Sequence, residues 1–255
     1  MDAIKIKDLT VSYDLKPVLW DIDLNIKKGS LMAIVGPNGA GKSTLIKALL
    51  GIVKLVTGSV LFFDKEYKDI RKKISYVPQR ESVDWDFPTT VFDVVLMGRY
   101  GHVGWIKRPG KKDKELALEA LKKVGMEQYK NRHIKELSGG QQQRVFLARS
   151  LVQEAEIYLM DEPFQGIDVK TEKAILKILR ELKDEGKTVV VVHHDLDTVR
   201  DYFDQVTLLN KQIIVSGNVS EVFTQENIKL AYREPKLLEG DNWWVVGLQK
   251  TISLL

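Results

Sequence analysis

The sequence predicts an α/β fold in which a parallel sheet carries an inserted helical lobe, and three observations point to it. Short β-branched runs recur between helical patterns, a phosphate-loop pattern follows one of those runs directly, and a long middle stretch contains no such run. The segments Leu31–Val35, 58–63, 157–160 and Thr188–Val192 read as buried strands. Segment 169–185 sets Ile175, Ile178, Leu179 and Leu182 at helical spacing, and Gly186 ends it just before the strand at Thr188. Residues 88–154 show helix patterns, among them 114–124 and a long one after Ser138. The α/β lobe is therefore expected at 1–87 and 155–220. Residues 107–114, with Pro109-Gly110, read as a surface loop. The segment 221–255 carries Trp243-Trp244-Val245-Val246, too apolar for a solvated linker, and is expected to pack on the core or on a partner.

Composition excludes several classes. The 255 residues are 44% hydrophobic, enough for a real core. The absence of cysteine removes disulfides, thiolate zinc sites and cysteine nucleophiles, and favours a reducing compartment. No run of membrane-spanning length occurs, and the N-terminus has no apolar stretch of signal-peptide length, so a soluble or peripheral chain is expected. The net charge is +4, and the basic runs at 71–73 and 107–114 are interrupted or followed by acids. They read as solvated faces, with anionic lipid headgroups as the alternative. A nucleic-acid partner is not expected, because no long basic stripe with interleaved aromatics is present.

Three motifs carry chemistry. Gly36-Pro37-Asn38-Gly39-Ala40-Gly41-Lys42-Ser43, followed by Thr44, fits the phosphate-loop pattern between a strand and a helix. Its glycines let backbone N–H groups face phosphate oxygens, Lys42 reaches the β and γ phosphates, and Ser43 offers a hydroxyl to Mg²⁺. The apolar run ending in Asp161-Glu162 delivers two carboxylates to a sheet edge. Asp161 is suited to hold Mg²⁺ through its water shell, and Glu162 to orient or deprotonate an attacking water. In Leu137-Ser138-Gly139-Gly140-Gln141, Ser138 and Gln141 form a capping box, while the glycine pair weakens the helix and exposes N–H groups to an anion.

Taken in this order, phosphate loop, LSGGQ signature and acidic strand resemble an ABC-transporter ATPase subunit over most of the chain. The resemblance implies a P-loop NTPase (RecA-like) core with the inserted helical subdomain characteristic of ABC cassettes, binding and hydrolysing MgATP. It implies a homodimer in which Ser138, Gly139, Gly140 and Gln141 contact the partner's ATP. Tyr13 would stack on adenine, Gln79 in Tyr-Val-Pro-Gln would sense γ-phosphate and contribute to the Mg²⁺ site, and His194 would serve as the switch histidine. Where many family members show Ser-Ala-Leu-Asp after the acidic strand, this chain has Phe164-Gln165-Gly166-Ile167-Asp168, and Asp168 keeps the acid for crosstalk between sites. Residues 78–88, 97–102, 162–166 and 192–196 resemble cassettes of manganese, zinc and iron importers. That implies a peripheral position at the cytoplasmic face, held by integral permease subunits, together with an extracytoplasmic metal-binding protein. Trp85, Phe87, Phe92, Tyr100 and Trp105 either line a groove for a permease helix or fill the helical lobe.

Overall fold

The computed structural model describes residues 1–13, 16–104 and 107–233. Two sheets organise them. The first is antiparallel, in the order β2 (Pro17–Lys27), β1 (Asp2–Ser12), β4 (Thr57–Phe62). The second has six strands in the order β5 (Ile74–Val77), β6 (Ile157–Asp161), β7 (Thr188–Val192), β3 (Leu31–Val35), β8 (Gln205–Asn210), β9 (Gln212–Asn218). All pairs in it are parallel except the edge pair of β8 and β9. Strands β3, β6 and β7 are buried at every residue, which is why they read as unbroken apolar runs.

The helices that follow are α1 (Lys42–Leu49), α2 (Tyr67–Ile70), α3 (Val91–Met97), α4 (Tyr100–Val103) and α5 (Lys111–Lys123). After them come α6 (Gly139–Leu151), α7 (Val169–Asp184), α8 (Val199–Tyr202), α9 (Val219–Val222) and α10 (Gln225–Ala231). Strand alternation sends side chains to two cores. Ala33, Val35, Met160, Val189 and Val191 face a core shared with α3, α5, α6 and α7. Met32, Ile34, Leu159, Val190 and Val192 face a core shared with α1 and the antiparallel sheet. The four apolar residues expected to form the α7 face are all buried, and Gly186 closes that helix in a left-handed conformation, its φ being +79°.

Two sequence expectations need correction. Segment 58–63 is not a buried strand of the parallel sheet: β4 pairs with β1, and Thr57, Gly58 and Ser59 are exposed while Phe62 is buried. A short run with one solvated face looks apolar for the same length as a buried one. The helix expected at 114–124 begins three residues earlier, because Gly110 serves as its N-cap and donates its N–H to the Asp113 carboxylate; the loop is correspondingly shorter than 107–114. Of the C-terminal segment, α9 and α10 pack on β8 and β9, and Asn210 donates to the carbonyls of Ala231 and Arg233. Trp243 and Trp244 lie outside the described residues, as does Trp105.

Candidate functional site

Strands β6, β7 and β3 are neighbours, so their carboxyl ends bring three motifs to one edge. The phosphate loop leaves β3, Asp161 ends β6, and the two histidines follow β7, where His193 N–H bonds the Ile34 carbonyl at 3.0 Å. Within the loop, Gly39 and Gly41 take φ of +79° and +95°. Gly36 has a different reason to lack a side chain: a Cβ there would sit 1.9 Å from the Leu209 carbonyl oxygen. Pro37, Asn38 and Thr44 are accessible, whereas Ala40 and Lys42 are buried.

Lys42 donates to the carbonyls of Gly36 and Pro37 at 2.8 and 3.0 Å. Burial lowers its pKa, and the charges of Glu162 and Asp161 oppose that shift. Ser43 Oγ donates to Asp161 Oδ1 at 3.0 Å. Asp161 is 1% exposed. Its pKa is raised chiefly by burial and by the neighbouring Glu162 carboxylate, with the Ser43 hydrogen bond acting against the rise. A hydroxyl and a desolvated carboxylate side by side are hard oxygen donors that fit Mg²⁺, whose charge would relieve the buried acid.

Glu162 adopts φ +52°, a left-handed conformation costing a non-glycine residue about 1–2 kcal/mol, and such strain concentrates at functional positions. Gln79 caps the short turn 80–82 after β5, and its Nε2 lies 3.3 Å from Glu162 Oε2 and 3.2 Å from Gln165 Oε1. Its contacts thus run to Glu162 and Gln165. Gln165 escaped the sequence reading, although it stands in the stretch that departs from the family pattern. Arg80 was missed as well, and nothing but its place beside Gln79 could have signalled it.

Beyond β7 the histidines divide. His193 is buried among Phe164, Tyr202 and Phe203 and shares a 2.8 Å hydrogen bond with Thr198. Burial, with a smaller contribution from His194, holds its pKa down at about 4. His194 is exposed. Tyr13, just past β1, is exposed as well.

The signature lies apart from these groups. Ser138 caps α6 and exchanges both bonds of a capping box with Gln141. Ser138, Gly139, Gly140 and Gln141 line a cleft of about 360 Å³ together with Arg144, Ile167 and Asp168, and no phosphate-loop residue lines it. Asp168 is committed to capping α7, accepting from the Thr171 N–H and hydroxyl, and those bonds lower its pKa. For Gly139 the structure adds a steric reason: a Cβ there would lie 2.8 Å from Arg80 Cζ, whereas one on Gly140 would meet Ile167 no closer than 3.4 Å. Of the aromatics, Trp85 and Phe92 pack into the core, whereas Phe87 and Tyr100 are exposed.

The family profile described as ABC transporter matches residues 19–165. The zinc transport system ATP-binding protein TroB of Treponema pallidum is 58% identical over 230 residues, covering 90% of this chain and 86% of that protein. This chain belongs to the ABC transporter family. The manganese transport system ATP-binding protein MntB of Bacillus subtilis is 57% identical to the cassette, covering 91% of this chain and 93% of the relative. Among solved structures, a nucleotide-free ATP-binding cassette from an ABC transporter superposes with TM-score 0.76 at 27% identity, over 94% of this chain and 98% of that one. The dimeric post-hydrolysis cassette MJ0796 with ADP and Pi superposes with TM-score 0.75 at 31% identity, over 85% and 98%. The cassette is an ATP-binding α/β protein and an ATPase. Among its described residues no helix is long and apolar enough to cross a membrane.

Proposed function

We propose that this cassette is the ATP-hydrolysing subunit of an importer for a divalent transition metal, manganese foremost, with zinc or iron as alternatives. The observation that carries the ATPase site is the meeting of Ser43 with Asp161 and of Gln79 with Glu162 at the carboxyl ends of β3, β5 and β6. The cargo rests on the manganese and zinc systems named for the relatives.

In this reading the amides of 36–44 cradle the phosphates and Lys42 turns from the loop carbonyls toward the β and γ oxygens. Ser43, Asp161 and Gln79 would hold Mg²⁺, which when bound would supply charge neutralisation for the phosphates. Glu162 orients or deprotonates the attacking water, and His194 bonds a γ-phosphate oxygen. Tyr13 stacks on adenine. The separate signature cleft supports a head-to-tail homodimer in which residues 138–141 close on the partner's ATP, with Asp168 at the crosstalk point. Residues 88–154 act as the signature subdomain on the lobe formed by 1–87 and 155–220. Binding of two nucleotides closes the dimer and hydrolysis releases it, driving permease subunits at the cytoplasmic face that are supplied by an extracytoplasmic metal-binding protein.

The test is uptake of radiolabelled manganese, zinc and iron by cells carrying wild type, Lys42→Ala or Glu162→Gln at matched expression. Loss of one metal's uptake in both variants names the cargo, and Glu162→Gln should keep ATP binding while ending turnover. Unchanged uptake of all three metals would overturn the importer reading and favour a cassette for another cargo or a soluble ABC ATPase.

A further inference from the structure

Arg80 joins two parts of the molecule that the reading above treats separately. Its Nε donates to Gln142 Oε1 at 3.1 Å, and its guanidinium lies against Gly139, the first residue of the signature helix α6. Gln142 is 4% exposed and donates in turn to the Ile134 carbonyl. On the other side Arg80 follows Gln79 in a tight turn, closed by two bonds from Ser82 to the Gln79 carbonyl. A second strut reinforces the first: the Arg80 carbonyl accepts from Trp85 Nε1 at 2.9 Å, and the Trp85 ring packs edge-on to Phe146 of α6, 4.9 Å between centroids.

A cation at this end of a helix is opposed by the helix dipole, which favours acids at the N-terminus. Helix stability therefore does not account for Arg80. Nor does the local turn, since its internal bonds use backbone and Ser82. Gly139 fits the same picture, because any side chain there would push the guanidinium off Gln142.

We propose that Arg80 is a positioning residue that couples the state of Gln79 in one nucleotide site to the placement of the signature helix serving the partner's site. The proposal rests on the roles given above to Gln79 and the signature. A Gln79 displaced by γ-phosphate carries Arg80 with it, and Arg80 carries the N-terminus of α6 through Gln142.

Turnover of the full chain is measured against ATP concentration for wild type, Arg80→Ala, Arg80→Met, Arg80→Lys, Gln142→Ala and the Arg80→Ala/Gln142→Ala double variant, with melting temperatures alongside. Arg80→Ala should lower kcat about tenfold, the equivalent of one hydrogen bond to a charged group, with KM for ATP within about twofold and the Hill coefficient falling toward one. Arg80→Met keeps the stem over Gly139 and should match Arg80→Ala; Arg80→Lys restores a donor and should recover most of the activity. The double variant should be no slower than Arg80→Ala. Wild-type kcat in Arg80→Met, or losses that multiply in the double variant, would overturn the coupling. Should Arg80→Ala fail to fold, the Met and Lys pair decides. Continued turnover by Glu162→Gln would instead strike the assigned hydrolytic site, whichever way the Arg80 series falls.

Discussion

Gly36→Ala should disable the phosphate loop by displacing it. A Cβ at this position lies 1.9 Å from the Leu209 carbonyl oxygen and 3.1 Å from its carbon, against a carbon–oxygen contact of about 3.3 Å at closest. The obstacle is backbone. Leu209 belongs to β8, whose ladder to β3 holds Leu208 opposite Val35, so the carbonyl cannot swing aside without breaking the sheet beside the loop. Overpacking of this kind costs about 3 kcal/mol, which for a chain of this size lowers the melting temperature by roughly 6–12 °C. Gly39→Ala is the matched control. Gly39 has φ +79° but open space around its missing Cβ, so only the left-handed penalty of about 1 kcal/mol applies. Calorimetry without nucleotide measures both, and titration with a fluorescent ATP analogue reads the loop directly. A Gly36→Ala variant melting within about 2 °C of wild type, or one more stable than Gly39→Ala, would refute the steric argument.

Further expectations concern buried charge. His193 has a folded pKa near 4 against an ordinary 6.5, so the unfolded chain binds the extra proton between those values; its contribution, on the order of 3 kcal/mol, is present above pH 6.5 and is lost as pH falls toward 4. Urea midpoints at pH 7 and pH 5 should diverge in wild type and converge in His193→Gln. Asp161 is buried with a raised pKa, so Asp161→Asn, which still accepts from Ser43, should melt higher than wild type without nucleotide while losing Mg²⁺-dependent turnover; a lower melting temperature counts against it. Arg99, 7% exposed, donates to Asp113, Glu154 and the Val152 carbonyl. Arg99→Ala leaves Asp113 and that carbonyl without their cation, and chemical denaturation should report a loss of about 3 kcal/mol, with Glu154→Gln, on an exposed partner, costing under about 1 kcal/mol.

Much of this cassette was legible in the linear sequence because its determinants are local. A strand buried on both faces is apolar along most of its length, so β3, β6 and β7 declare themselves, and the phosphate loop and the Ser138 capping box each act within a few residues. The placement of Lys42, Ser43, Asp161 and Glu162 was readable for the same reason: residue type and the preceding strand suffice to put them at a sheet edge. Contacts across the chain left no such trace. That β4 joins an antiparallel sheet with β1, that Gln79 reaches Gln165 as well as Glu162, that Gly36 is small because of Leu209 and Gly139 because of Arg80, depends on segments brought together only when two cores close on opposite faces of the central sheet. Periodicity records which way a side chain points, while its partner is chosen by the packing of the whole.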